Sequence, residues 1–427
     1  MWSITPAVNL ANGSHTIRAR VTDLAGNVAQ TSPALVAVID TVAPAVPSIP
    51  DLIATSDTGV SQTDNLTKIA SPTFTGTAEI GSTVSLFDGT VLIGSGIATN
   101  GTWSITSALL TDGTHNITAK ATDLAGNVSI SSTALAVKID TKAPLVSAAD
   151  LIASSDSGIS STDNITRIAA PAFTGTAESS SVVKLFDGAT QIGSATASAG
   201  GSWTITSAAL GDGTHAITTT ATDAAGNTST SAALSVVVDT SVPAAALFSG
   251  LTVNSNGSVT LAGSVEPNGT VTLFDLTTQL GTTIAGGTGV WSFKTGGLTN
   301  SVHIFTATAA DRAGNVGASA GSAQLGSSGA DTLISTSGND LLFGQGGSDT
   351  FSFMATFGND IISDFATNGT AHDVINFSGN AVLNSFASVR SHAVQSGSSV
   401  VISQDAANTL TLKNVMLGSL SAADFTF

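Results

Sequence analysis

Apolar and polar residues alternate in short runs along most of this chain. PTFTGTAE (residues 72–79), STVSLFDG (82–89), GTWSIT (101–106), HNITAKATD (115–123) and VSISSTALAVKID (128–140) are examples. A period of two puts every second side chain on one face of a strand, so each run predicts a half-buried β-strand. Thr, Val, Ile and Phe fill the runs, and Gly, Asn and Asp punctuate them as turn formers. About seven short strands in ~100 residues is the rhythm of a β-sandwich. No stretch in this part of the chain has helical periodicity.

The strand pattern repeats. Trp2, Trp103, Trp203 and Trp291 follow one another at intervals of 101, 100 and 88 residues, and His15, His115, His215 and His303 at 100, 100 and 88. DLAGN at Asp23 returns at Asp123, as DAAGN at Asp223 and as DRAGN at Asp311, and an Asp-Thr pair precedes Pro44, Pro144 and Pro243. A period near 100 residues is a whole small domain rather than a solenoid turn. The expected divisions are a partial repeat at 1–40, whole domains at 41–140 and 141–239, and a shorter one at 240–323. Trp2 aligns with Trp103, so residues 1–40 hold only the last strands of a domain, as the tail of a longer protein or a late start of the reading frame would give. The fourth repeat lacks the SDTGVSQTDN-type loop of the second.

With its AxDxAGN and DTxAP segments, this array resembles the bacterial immunoglobulin-like domains strung along large surface adhesins. The resemblance implies tandem immunoglobulin-like sandwiches over residues 1–323. The antibody Cys…Trp…Cys pattern is absent, and Trp103 falls late in its unit, so it is expected in the core of a different sandwich variant.

Composition narrows the setting. There are no cysteines, so no disulfide staples the fold and the redox compartment is immaterial. The start, MWSITPAVNL, has neither a basic region nor an apolar core of the secretory type, and no run approaches ~18 apolar residues, so neither a removable leader nor a transmembrane segment is expected. Asp and Glu total 29 against 12 Lys and Arg, a net charge of −17, and only Glu79, Glu178 and Glu266 are Glu. That balance argues against nucleic acid as a partner. Asp concentrated in turns with Gly and Asn points instead to turn chemistry and metal ligation.

Asp331, Asp340 and Asp349 stand nine residues apart, each two positions after a glycine (Gly329, Gly338, Gly347) and two before an apolar residue (Leu333, Leu342, Phe351). This is the nonapeptide of calcium-binding parallel β-rolls. Glycines let carbonyls approach an ion, and Asp supplies a hard anionic oxygen. The segment resembles the RTX, or hemolysin-type, repeat. The segments that follow it, FGNDIISDF (357–365), HDVINFS (372–378), NTLTLKNV (408–415) and ADFTF (423–427), resemble the C-terminal region of proteins exported by bacterial type I secretion. The resemblance implies a short RTX β-roll at 324–357 with one or two Ca²⁺ sites, a β-rich secretion region at 358–427, and a type I secretion ABC transporter complex as partner. With little apolar core of its own, the roll is expected to fold only when calcium is present. The whole chain is thus expected to be all-β.

A second set of aspartates sits where domains join. The loops SDTGVSQTDN (56–65) and SDSGISSTDN (155–164) each place two carboxylates around a glycine. In a sandwich they lie at the end where the chain leaves, and the DxAGN loop lies at the end where it enters. Asp57, Asp64, Asp140 and Asp223 should therefore meet at one junction, and Asp156, Asp163, Asp239 and Asp311 at the next. Asp40 and Asp123 mark an earlier one. Four carboxylates in a small volume repel unless a cation is present, so interdomain Ca²⁺ is expected, against a reading as solvated turn aspartates. The linkers carry no Gly/Ser-rich stretch, which predicts domains set end to end.

The four histidines follow Asp-Gly-Thr-like turns, one per domain, and read as structural. GASAG (317–321) fits the nucleophile-elbow spacing without its strand–turn–helix context, and Asn65 and Asn164 read as turn asparagines rather than glycosylation sites. There is no HExxH, no phosphate loop and no EF-hand loop. The sequence thus predicts a non-catalytic, calcium-binding, secreted or cell-surface adhesin or biofilm-matrix stalk for an unidentified receptor, glycan or matrix component. The alternative is the C-terminal stalk and export module of a secreted hydrolase whose catalytic domain lies upstream.

Overall fold

The computed structural model describes residues 1–427. The chain forms two compact units. One holds Met1–Ala149, Thr174–Ile205 and Thr218–Ala233; the other holds Asp150–Phe173, Thr206–Ile217 and Leu234–Phe427.

In the first unit, residues 41–140 make a complete sandwich. One sheet pairs Thr73–Thr77 with Asp51–Leu52 and with Thr102–Thr106. The other orders Leu66–Thr67, Leu135–Ile139, Gly113–Thr122, Thr83–Asp88 and Val91–Ile97. All pairs are antiparallel except Leu66–Thr67 with Leu135–Ile139. The predicted alternation is realised: Trp103 and Ile105 point inward from Thr102–Thr106 while their neighbours face solvent. They meet Phe74, Val84, Leu86, Ile117, Val137 and Ile139 in one core. The hairpin Thr83–Asp88/Val91–Ile97 has a β-bulge at Leu86/Phe87, and the same bulge recurs at Leu185/Phe186 and Leu273/Phe274. Residues 1–40 contribute one antiparallel ribbon, Gly13–Ile17 with Leu35–Ile39. Trp2 is 67% exposed there, whereas Trp103, Trp203 and Trp291 are 2%, 3% and 1% exposed.

In the second unit, the fourth sandwich packs the sheet Leu247–Val253, Ser258–Ser264, Val290–Gly297 against a sheet that begins Thr278–Ile284, Thr270–Asp275, His303–Ala310, Ala323–Leu325. That second sheet does not stop. Ala323–Leu325 pairs antiparallel with His303–Ala310 on one side and parallel with Leu341–Phe343 on the other. The ladder continues in parallel to Asn359–Ile362 and Thr409–Leu412, then antiparallel to Ser399–Ser403 and Ala393–Ser396. A facing parallel sheet runs Thr332–Ile334, Thr350–Ser352, Val374–Asn376, Phe425–Thr426. The C-terminal part is thus a flattened two-sheet coil. Its first partners are 18 residues apart (Leu333 with Phe351), which is two nonapeptides.

The sheets cross residues 323/324 and 357/358 without a break. Leu333, Leu342 and Phe351 share one core with Phe353, Phe357, Ile362, Ile375, Phe377 and Leu410, all essentially buried. The expectation of a roll with little apolar core is corrected: residues beyond the nonapeptides complete it. A helix, Phe386–His392, follows the Ser385 N-cap, whose hydroxyl accepts from Ser388 N at 3.2 Å.

Candidate functional sites: the junction loops and the coil aspartates

The loop at 56–65 leaves the sandwich 41–140 and meets the DAAGN turn of the next repeat. Thr58 Oγ1 donates to the Ala225 carbonyl at 3.0 Å, Val60 N to the Ala224 carbonyl at 3.2 Å, and Lys68 Nζ to the Gly226 carbonyl at 2.7 Å. Gly226 has φ +90° and lies so close that a Cβ there would stand 2.6 Å from the Thr58 carbonyl, which explains the glycine of the turn. The Asn227 amide closes the junction. It donates to the Asp140 carbonyl at 2.8 Å and to Asp223 Oδ2 at 2.9 Å, while Asn227 N donates to Asp223 Oδ1 at 2.9 Å.

The second unit repeats this arrangement. Ser157 Oγ donates to the Ala313 carbonyl at 3.1 Å, Arg167 Nη1 to the Gly314 carbonyl at 2.5 Å, and the Asn315 amide to the Asp239 carbonyl at 2.7 Å and Asp311 Oδ2 at 2.8 Å. At the first junction Asn127 bridges the Asp40 carbonyl at 3.1 Å and Asp123 Oδ2 at 2.8 Å.

The predicted segments therefore meet, but their carboxylates do different things. Asp123, Asp223 and Asp311 cap their own turns through the Asn four residues on. Asp40, Asp140 and Asp239 accept from the amide two residues later at 3.0, 3.2 and 3.1 Å, and Asp64 and Asp163 do likewise at 3.1 and 3.2 Å. Asp57 and Asp156 differ. They are 2% and 5% exposed, each takes one long bond on Oδ2 (3.4 Å from Asn65 N, 3.3 Å from Asn164 N), and Oδ1 of each is buried with no partner. Burial raises both above the ordinary carboxylate value, and the neighbouring Asp64 and Asp163 push in the same direction. No three acidic or histidine side chains stand as a ready-made metal cage.

A buried carboxylate oxygen without a donor is costly, and a hard cation is the ligand it fits. The Asp156 junction partly answers the need itself: Arg312 Nη2 lies 3.7 Å from Asp163 Oδ2, where the Asp57 junction has Ala224 in place of arginine.

In the coil the aspartates form ladders. Asp331 N donates to Asp349 Oδ1 at 2.8 Å, Asp349 N to Asp373 Oδ1 at 2.9 Å, and Asp340 N to Asp360 Oδ1 at 2.7 Å. Burial pushes Asp349 up to about 6 and Asp360 up to about 8, and raises Asp364 and Asp373. The glycines serve the stacking: a Cβ on Gly347, at φ +115°, would lie 2.4 Å from the Gly329 carbonyl. Gly329 N and Gly338 N donate to Ser327 Oγ and Thr336 Oγ1 at 3.1 and 3.0 Å.

Asp340 does not fit a cation as it stands. Its Oδ1 accepts from Ser322 N at 2.5 Å and Ser322 Oγ at 2.7 Å, and its Oδ2 from Thr336 N at 2.6 Å and Thr336 Oγ1 at 2.8 Å. Four donors fill the lone pairs of one carboxylate.

Sequence reasoning missed the asparagine bridges, the roles of Lys68 and Arg167, and Asp360 and Asp373. The invariant fifth residue of the four DxAGN turns was the available signal for the first. The histidines are structural as read: Nε2 of His15, His115, His215 and His303 bonds the carbonyl four residues upstream at 2.7, 2.8, 2.8 and 3.1 Å. Asn65 and Asn164 hold φ 60° and 59°, left-handed values that asparagine tolerates, as expected of turn residues.

Two facing sheets with a buried tryptophan, joined through an asparagine-bridged turn, define a tandem array of β-sandwich modules. The chain belongs to the bacterial Ig-like domain family, whose model matches residues 1–41, 43–141 and 143–240, more than half its length. No curated protein matches it. Among solved structures it is similar to the fibronectin(III)-like modules of Clostridium thermocellum CbhA, at 20% identity over 39% of this chain and 85% of that one, TM-score 0.27. It is also similar to the BSP domain of a biofilm associated protein, at 13% identity over 64% and 65%, TM-score 0.17. A third is SGBP-B of the Bacteroides ovatus mixed-linkage glucan utilization locus, at 15% over 65% and 67%, TM-score 0.18. No helix of the chain is long and apolar enough to cross a membrane.

Proposed function

We propose that this chain is a calcium-binding stalk of a secreted or cell-surface adhesin or biofilm-matrix protein. It is non-catalytic, with Ca²⁺ held where sandwich domains join. The observation that carries the reading is the buried, unpartnered Oδ1 of Asp57 and of Asp156 at equivalent junctions. Asp64 and Asp163 repel the buried carboxylates, and the Asp140 and Asp239 segments close the same junctions. A cation would cancel the mutual repulsion and satisfy the empty oxygens. The tail, with its nonapeptides and NTLTLKNV and ADFTF segments, supports export through a type I ABC transporter complex.

Calorimetric calcium titration of the full chain tests the central part. Extracellular modules bind calcium with Kd on the order of 10⁻⁴–10⁻³ M. Asp57→Asn should remove one binding event and Asp57→Asn/Asp156→Asn both. A double variant that binds as much calcium as the wild type would overturn the assignment. Export is tested by fusing residues 358–427 to a reporter: release into the medium should require the transporter.

A further inference from the structure

The nonapeptides depart from their consensus at one place in common. The second position, glycine in the consensus, holds Ser327, Thr336 and Gln345. The first two make the same contact. Ser327 donates through N at 2.6 Å and Oγ at 2.8 Å to Asp331 Oδ2; Thr336 donates through N at 2.6 Å and Oγ1 at 2.8 Å to Asp340 Oδ2. Each hydroxyl also accepts from the glycine two residues on, Gly329 or Gly338. Gln345 reaches back one turn instead, its amide donating to the Gly326 carbonyl. These side chains bring hydrogen-bond donors to the oxygens that a cation would otherwise hold together.

The contacts do not end with the nonapeptides. Asp360 Oδ2 accepts from Ser335 Oγ at 2.7 Å while its Oδ1 takes Asp340 N, and Asp373 takes Asp349 N and Ala366 N at 2.9 and 2.8 Å. Neither belongs to a nonapeptide, yet each carries the ladder of Asp-to-amide bonds one turn further. The apolar side is equally complete, with Leu333, Leu342 and Phe351 fully buried among aromatic residues from 353 to 377.

We propose that this coil is held by Asp–Ser/Thr clasps in place of calcium, so it folds without a divalent cation although its spacing is that of a calcium-binding roll. A side-chain hydroxyl at the second position is the device. It fixes the Asp rotamer and satisfies the glycine amide in the same turn, two tasks for which a glycine there would leave the backbone alone. Calcium at the junctions is independent of the coil, because different loops report on each.

Hydrogen exchange of the full chain in calcium and in EGTA tests it. Peptides spanning 326–352 should exchange within twofold of the same rate in both, whatever happens at 56–65 and 155–164. A tenfold or greater acceleration of 326–352 in EGTA would overturn the proposal. Thr336→Gly restores the consensus residue and should accelerate exchange at 335–343 at least tenfold in EGTA, with Thr336→Ser returning it to the wild-type rate. A Thr336→Gly chain as protected as wild type would show that the clasp contributes nothing.

Discussion

Each tryptophan of the complete sandwiches lies against a glycine of the neighbouring strand. A Cβ on Gly76, Gly175 or Gly263 would stand 2.5, 2.4 or 2.4 Å from Cζ2 of Trp103, Trp203 or Trp291. Gly76→Ala should therefore cost about 1–3 kcal/mol through overpacking. The exposed control Gly211→Ala, with nothing within 4 Å of the added methyl, should change stability by less than about 0.5 kcal/mol. Scanning calorimetry of the full chain checks both. The 100-residue recurrence made the tryptophans legible in the sequence. Their glycine partners were not, because a strand glycine gives no sign of what packs on it.

His115 supplies the pH dependence at this scale. Burial lowers its pKa, but hydrogen bonds to Asp88 at 2.7 Å and to the Thr111 carbonyl outweigh that and raise it above the ordinary 6.5. A raised histidine pKa stabilises the fold below the unfolded value, and the contribution is lost as pH rises through the folded one. The His115 ring resonances should titrate above the ordinary value by NMR. Asp88→Asn should bring the midpoint down and reduce the stability gained on acidification.

At the scale of elements, the loops do the joining. Strand parity and the order of turns were enough to place the 56–65 loop beside Asp140 and Asp223, and the 155–164 loop beside Asp239 and Asp311. The partner of each carboxylate was not readable. An Asp in a turn can satisfy its own backbone, as Asp223 does through Asn227, or be left with an empty oxygen, as Asp57 is. Burial decides between them, and burial depends on a loop from the next domain. The nine-residue spacing likewise predicted a parallel β-roll, whose first turns stack at 18 residues, but it carried no sign that the hydroxyls of Ser327 and Thr336 reach Asp331 and Asp340. Asn227→Ala removes the donor to both the Asp140 carbonyl and Asp223 Oδ2. It should cost about 1–3 kcal/mol and accelerate hydrogen exchange at 140–144 and 223–228. Unchanged exchange there would mean the asparagine bridge carries no load.

Two kinds of stability coexist in the whole molecule. The sandwiches keep their own cores but leave a buried carboxylate unanswered at each complete junction, whereas in the coil the chain's own donors reach both oxygens of Asp340, Asp360 and Asp373. A ligand that binds only the folded state stabilises by about 2.7 kcal/mol at a hundredfold excess over Kd, and 1 kcal/mol shifts a domain of this size by about 4–8 °C. The most direct test is scanning calorimetry of the full chain in millimolar calcium and in EGTA, with the Gly76→Ala shift marking the 41–140 transition. Calcium should raise the sandwich transitions by several degrees, most at the junction that lacks arginine, and leave the coil transition where it is. Sandwich transitions indifferent to calcium, or a shift confined to the coil, would contradict the assignment of the cation to Asp57 and Asp156.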